Sequence, residues 1–254
     1  MKLRVLGSSG AEFPGFNPPA FLLDDSLLLD AGTVGAVLRE DSQWKIRNIL
    51  ITHAHLDHIR GIPFLADNII IKNKKHSVSV FGIRQVLDTL KKSLLNDKVW
   101  PDFTSIPNRE NAVLRLKPIV PGRAFGINSY TITAYKVSHS VPAAGYVIEN
   151  SKGRRLLYTG DTGPTNDIWR ALSKPVHTAI IEVSMPNSMK EMAVLTGHLT
   201  AGLLKEELKK MRTIPERILI THPKPQYLER IKKEVSNLGL KNIKILRDGE
   251  LYEV

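Results

Sequence analysis

An apolar segment, Ile46–Thr52, runs directly into His53-Ala54-His55-Leu56-Asp57-His58, so four potential metal ligands occupy six consecutive positions behind a strand-like stretch. This arrangement limits the folds open to the chain. In an extended segment, residues two apart point to one side, so His53 and His55 can grip one cation. If the chain then turns, Asp57 and His58 face a second cation beside the first. Imidazole and carboxylate suit zinc, and also manganese or iron. A surface histidine cluster is the alternative, and the apolar strand ahead of the run argues against it. The chain has no cysteine. That removes Cys-ligated zinc, iron–sulfur clusters, disulfide scaffolds and thiol nucleophiles.

Further ligand-type residues also follow strand-like stretches. His139 comes soon after Tyr130–Val137, Asp161 follows Arg155–Thr159 in a Gly-Asp-Thr-Gly turn, and His222 closes Ile218–Thr221. Each alone reads as structural, and Asp161 as a turn former. Their shared position at strand ends, like that of the His-rich run, reads as one sheet edge collecting ligands. The remaining pattern is mixed. Leu3–Leu6, the hairpin Ala20–Leu23 and Leu27–Asp30, Val78–Phe81, Ala112–Ile119, Ala144–Ile148 and Thr178–Val183 read as strands. Helical spacing appears in Val86, Leu87, Leu90 and Leu94, around Ile168–Leu172, in Leu204, Leu208 and Met211, and in Leu228, Ile231, Val235 and Leu238, with Gly239 as a C-cap. There is no repeat, linker or low-complexity tract, so residues 1–254 read as one domain of two packed sheets with helices outside. Periodicity alone leaves a doubly wound sheet open.

Taken in order, HxHxDH, His139, Asp161 and His222 resemble the metallo-β-lactamase superfamily over essentially the whole chain. The resemblance implies an α/β fold, the αββα sandwich of two mixed sheets flanked by helices, with a dinuclear metal site at one edge. It implies His53, His55 and His139 on the first divalent metal, Asp57, His58 and His222 on the second, and Asp161 between them. In that superfamily a hydroxide bridging the metals serves as nucleophile. The metals are most readily zinc, with manganese or iron as alternatives.

Longer segments narrow the resemblance. Glu182-Val183-Ser184-Met185-Pro186-Asn187, Gly197-His198-Leu199-Thr200 and Thr221-His222-Pro223-Lys224-Pro225, with HLDHIRG, look like the class II cyclic-nucleotide phosphodiesterases. The activity implied is hydrolysis of 3′,5′-cyclic nucleotides to nucleoside 5′-monophosphates. His198 is the candidate for contacting a phosphoryl oxygen or protonating the leaving oxygen, in a segment where Thr200 also reads as a helix N-cap. Lys224 is either a phosphate-binding point charge or a solvated loop lysine. Asp57, first a ligand, doubles as a catalytic proton acceptor. Tyr146 and Glu182 read as supports, His177 as structural and His76, in the Lys72–His76 run, as solvent-facing. Trp100, Phe103 and Phe125 are open between base stacking and core. The Gly7–Gly10 turn is open between phosphate approach and a plain turn.

Charge bears on the substrate. Thirty-six Lys and Arg against 25 Asp and Glu give a net charge of +11, which favours an anionic partner. The rival enzyme reading is a tRNA 3′-end endonuclease like tRNase Z, for which RNA is the partner. Those enzymes insert a substrate-gripping arm between the positions of His139 and Asp161, where only the 21 residues 140–160 lie here. A thioesterase of the glyoxalase II type lacks support from GHLT and THPKP. A non-catalytic metal- or nucleotide-binding module is the reading from another class, and a complete ligand set argues against it. With no export signal or apolar run of membrane-spanning length, the expected location is the cytoplasm without membrane association. A homodimer is expected only by resemblance.

Overall fold

The computed structural model describes residues 1–72 and 76–254, so Asn73–Lys75 of the lysine-rich run lie outside it. The first half supplies β1 (Lys2–Gly7), β2 (Ala20–Leu23), β3 (Leu27–Leu29), β4 (Asn48–Leu50), β5 (Val78–Ile83) and β6 (Leu114–Ile119). The second supplies β7 (Ala124–Ile127), β8 (Tyr130–Lys136), β9 (Ala144–Glu149), β10 (Arg155–Tyr158), β11 (Thr178–Glu182), β12 (Arg217–Thr221), β13 (Ile243–Ile245) and β14 (Leu251–Glu253). Helices α1 (Glu40–Gln43), α2 (Leu56–Ile59), α3 (Gly61–Ile71) and α4 (Arg84–Thr89) fall in the first half. Helices α5 (Asp167–Ala171), α6 (Lys190–Thr196), α7 (Ala201–Leu208) and α8 (Leu228–Ser236) fall in the second.

The strands form two sheets, β14-β1-β2-β3-β4-β5-β6 and β13-β12-β11-β10-β9-β8-β7. In each, an antiparallel region gives way to a parallel one: β3 through β6 run parallel, as do β10 through β13. Parallel strands bury both faces, and β3, β10 and β11 are buried at every residue. One apolar cluster lies between the sheets, joining Leu3, Phe21, Ile49 and Val80 to Ile132, Ile148, Leu156 and Ile180. A second lies under the outer helices of the second sheet, where Trp169, Leu204 and Ile231 meet Leu157, Ile181 and Ile218. Residues alternate along β11, Ile180 facing one cluster and Ile181 the other. The two-sheet arrangement is therefore present, and the single doubly wound sheet is not.

The β2–β3 hairpin turns through Asp24 and Asp25 at φ 42° and 58°, the backbone of a type I′ turn. Helix α8 buries Ile231 and Val235 as its stripe predicts. Three features escaped the periodicity. Gly61–Ile71 is a helix, although its almost wholly apolar sequence shows no one-sided stripe. The edge strands β13 and β14 are three residues each, too short to show alternation. The helix from Arg84 ends at Thr89 and continues as one wide π turn over Leu90–Leu94. Of the doubtful aromatics, Phe103 is buried, Phe125 stacks on Phe81 and Trp100 meets Phe64 edge to face. His177 is structural as expected, its Nδ1 accepting from the Arg155 amide at 2.9 Å. His76 is half-buried rather than solvent-facing. No helix among the described residues is long and apolar enough to cross a membrane.

Candidate metal centre

Parallel strands deliver their C-terminal ends to one edge, and the candidate residues collect there. His53 and His55 follow β4, Asp57 and His58 lie on α2, His139 follows β8, Asp161 follows β10 and His222 follows β12. His55 Nδ1 lies 3.1 Å from both His53 Nε2 and His139 Nε2, so three imidazole nitrogens converge. Beside them, His222 Nε2 is 3.4 Å from Asp57 Oδ2, and His58 Nε2 is 3.9 Å from the same oxygen. Asp161 Oδ2 stands between the two groups, 3.8 Å from His53 Nε2, 3.4 Å from His58 Nε2 and 3.2 Å from His222 Nε2. All seven residues singled out from the sequence are thus brought together.

Two buried carboxylates orient these imidazoles, and each uses the same device. Asp30 accepts from His58 Nδ1 at 2.8 Å and from the Thr52 hydroxyl at 2.8 Å, and that hydroxyl lies 3.0 Å from His53 Nδ1. Glu182 accepts from His198 Nδ1 at 2.8 Å and from the Ser184 hydroxyl at 2.7 Å, and that hydroxyl lies 2.7 Å from His222 Nδ1. Each carboxylate therefore holds one imidazole directly and a second through a hydroxyl. His139 Nδ1 donates to the Gly197 carbonyl at 2.8 Å. With Nδ1 protonated in this way, the Nε2 lone pairs of His53, His58, His139 and His222 are left for a cation. Gly197 caps α6 at φ 73°, and a Cβ there would lie 2.8 Å from the His139 Cα.

Electrostatics match. Burial, with the neighbouring imidazoles, holds His53, His55 and His139 below the usual histidine range. Burial also pulls the His58 imidazolium down, but Asp161 and Asp30 outweigh it and hold its pKa well above the ordinary value. Burial raises Asp161, yet His222 and His58 prevail and keep it ionised. Asp57 is held ionised by His222 and His58 against its burial. Asp30 and His222 take left-handed backbone, φ 52° and 64°. Such conformations cost about 1–3 kcal/mol and persist where surrounding structure imposes them.

The donor set fits divalent cations. His58 Nε2 is buried with no hydrogen-bond partner among the described residues, an expensive state for a polar atom unless something binds it. Four groups of three ligand atoms lie close enough to share an ion: His53-His55-His139, His53-His58-Asp161, Asp57-His58-His222 and Asp161-His198-His222. Nitrogen and oxygen ligands without thiolate admit zinc, manganese or iron alike.

His198 stacks on the His222 ring, with centroids 5.4 Å apart. Burial lowers its pKa, but Glu182 outweighs burial and the net shift is upward. Thr200 caps α7 as expected, accepting from the Leu203 amide. Lys224 Nζ donates to the Gly10 carbonyl at 2.7 Å, tying the Gly7–Gly10 turn to the segment after His222. Tyr146 donates to the Ile51 carbonyl at 2.5 Å, a support for β4. Asp30, Thr52 and Ser184 had been given no role in the sequence. Asp30 carried a usable signal, an acid closing an apolar strand as Asp161 does.

A family model described as the beta-lactamase superfamily domain matches residues 27–222. The chain belongs to the beta-lactamase superfamily. Among curated relatives, a probable 3′,5′-cyclic-nucleotide phosphodiesterase of Yersinia pestis is 28% identical over 208 residues, 72% of this chain and 58% of that protein. A ribonuclease Z of Methanococcus maripaludis is 32% identical over 164 residues, 61% of this chain and 51% of that protein. The matched regions thus span little more than half the length of these relatives. The crystal structure of unliganded yeast PDE1 superposes with a TM-score of 0.83, at 18% identity over 98% of both chains. That likeness shows the fold, the αββα sandwich expected. The beta-lactamase superfamily fold implies divalent-metal binding, and the His and Asp clusters supply the ligands for it.

Proposed function

We propose that residues 1–254 form one metal-dependent phosphodiesterase domain that hydrolyses 3′,5′-cyclic nucleotides to nucleoside 5′-monophosphates. His53, His55 and His139 would hold one divalent cation and Asp57, His58 and His222 a second, with Asp161 placed between the two groups. Divalent cations held there would lower the pKa of a water and neutralise charge on the phosphoryl group. The observation that carries the reading is the pairing of this ligand cluster with His198, whose Nδ1 is tied to buried Glu182 at 2.8 Å.

With Nδ1 committed, His198 Nε2 is the nitrogen that meets substrate. Glu182 favours the protonated ring, so His198 delivers a proton to the departing 3′ oxygen as the P–O3′ bond breaks. Ionised Asp57, one-third exposed, accepts the proton released by the attacking water. Water thus adds across the P–O3′ bond, hydroxide to phosphorus and a proton to the 3′ oxygen. Lys224 lies near enough to His198 to oppose its charge and contributes positive potential at the phosphate.

Support for a cyclic nucleotide over RNA comes from the connection between His139 and Asp161. It is the plain β9–β10 hairpin, with no room for a gripping arm. The ribonuclease Z relative and the net charge of +11 favour RNA as the second reading. Phosphorus NMR of the metal-loaded protein tests both, with cyclic AMP, cyclic GMP and, on a gel, a pre-tRNA carrying a 3′ trailer. Chelator-sensitive opening to the 5′-monophosphate with the trailer intact supports the first reading. Trailer cleavage with cyclic nucleotides intact replaces it with the second.

A further inference from the structure

A cleft of about 370 Å³ flanks the metal cluster, lined among others by Thr33, Val34, Ala36, Arg60, Phe64 and Asn68. Its two walls are the loop after β3 and the start of α3. They are zipped to the segment carrying Asp57 and His58: the Ala31 amide donates to the His58 carbonyl at 2.7 Å, the Gly61 amide to Ala31 at 2.7 Å, and Arg60 Nε to Gly32 at 2.8 Å. The cleft and the metal cluster therefore share a wall.

Three features of the lining leave a surface or a polar atom open to a ligand. Phe64 is 52% exposed, an aromatic ring whose edge-to-face contact with Trp100 leaves half of it open. Thr33 is 2% exposed and its hydroxyl has no hydrogen-bond partner among the described residues. The third is the carbonyl end of Asn68, whose orientation follows from a chain of bonds. Gln43 Nε2 donates to the Leu38 carbonyl at 2.8 Å, which leaves Gln43 Oε1 as an acceptor. Asn68 Nδ2 donates to that oxygen at 3.0 Å. Asn68 Oδ1 then remains as an acceptor that receives no bond among the described residues. Charge in the cleft is balanced, because the Arg60 guanidinium is paired with Glu12. An exposed ring, a spare hydroxyl and a spare acceptor in a neutral cleft suit a planar heterocycle with a donor on its edge, not an anion.

We infer that this cleft is the nucleobase subsite, that Phe64 is its stacking face, and that Asn68 Oδ1 selects bases bearing an exocyclic amine. The inference rests on the cyclic-nucleotide reading above. Adenine presents its N6 amine to Asn68. Hypoxanthine presents a carbonyl at that position and sets acceptor against acceptor, which loses the bond and leaves both oxygens unpaired.

The test compares cyclic AMP with cyclic IMP on the metal-loaded protein, wild type and the variants Asn68→Ala and Phe64→Ala. The wild type is expected to show a KM for cyclic IMP roughly tenfold above that for cyclic AMP, a factor typical of one hydrogen bond. Asn68→Ala brings the two values together. Phe64→Ala, at an exposed side chain that leaves the fold intact, raises both by roughly tenfold, with kcat little changed. Equal KM values in the wild type, or a preference that survives Asn68→Ala, overturn the subsite and leave the cyclic-nucleotide reading standing. If neither nucleotide is hydrolysed, that reading fails, and calorimetric titration with AMP and IMP decides the subsite alone. Tighter AMP binding that is lost in Asn68→Ala supports it, and equal or absent binding overturns it.

Discussion

The Ser184 hydroxyl accepts the Nδ1 proton of His222 at 2.7 Å and donates its own to Glu182 at 2.7 Å. A residue with no affinity for metal thereby sets which His222 nitrogen is free. Ser184→Ala leaves the buried His222 Nδ1–H without a partner and the ring free to turn. Affinity for the second cation is expected to fall about 10–100-fold, while the first is held as before. Metal content after graded chelator dialysis, by mass spectrometry, measures this, and equal retention of both ions would count against the relay.

Glu182→Gln removes the charge that holds the His198 pKa up. The sign follows directly. A raised pKa keeps His198 protonated to higher pH, so without Glu182 the proton donor is lost at lower pH. The basic limb of the kcat–pH profile should move toward acid, and kcat at neutral pH should drop roughly a hundredfold. A profile that falls in height with its limb unmoved would mean Glu182 acts only by packing.

The two ligand groups should respond differently to acid. His53, His55 and His139 are held neutral by burial, so a cation binds them near neutral pH without displacing a proton. His58 is held protonated by Asp161 and Asp30 against its burial, so a cation must expel that proton. Affinity at the Asp57-His58-His222 group should therefore rise about tenfold per pH unit below the folded-state pKa of His58, and that group should empty first on acidification. Calorimetry in buffers of different ionisation enthalpy counts the protons released at each step.

Asp30 is fully buried and accepts from the Thr52 amide, the Thr52 hydroxyl, His58 Nδ1 and the Tyr158 hydroxyl. Asp30→Asn turns one acceptor into a donor facing other donors. Stability should fall by about 3 kcal/mol, read from urea unfolding of the metal-free protein, and metal at both groups should weaken. A variant as stable as the wild type would show that the four bonds do not act together.

Gly197→Ala places a methyl group 2.8 Å from the His139 Cα on a backbone at φ 73°. Overpacking and left-handed strain together should lower stability by about 2 kcal/mol and weaken the His53-His55-His139 group selectively. Thermal unfolding with and without zinc distinguishes the two effects.

Much of this protein is local and so legible in its residues. His53, His55, Asp57 and His58 are close in the chain, and a strand followed by a turn is enough to make them converge. The strand-end positions of His139, Asp161 and His222 are also local properties, and parallel packing brings such ends to one edge. The same holds for the stripe on α8 and the turn at Asp24-Asp25. What depends on distant contact was not legible. Asp30 meets Tyr158 across 128 positions of chain, a contact made only by the packing of one sheet on the other, and the parallel pairing of β3 with β4 puts that carboxylate behind His58. Ser184 stands between Glu182 and His222 because β11 and β12 are adjacent and in register. Which nitrogen of each imidazole is free, that Asp161 lies between two groups, and that Asn68 offers its oxygen depend on contacts that sequence-remote partners complete, as Asp30 does for the Thr52 hydroxyl beside His53. Residue type and spacing carry the chemistry a side chain can do. Its protonation and direction belong to the partners that tertiary structure brings to it.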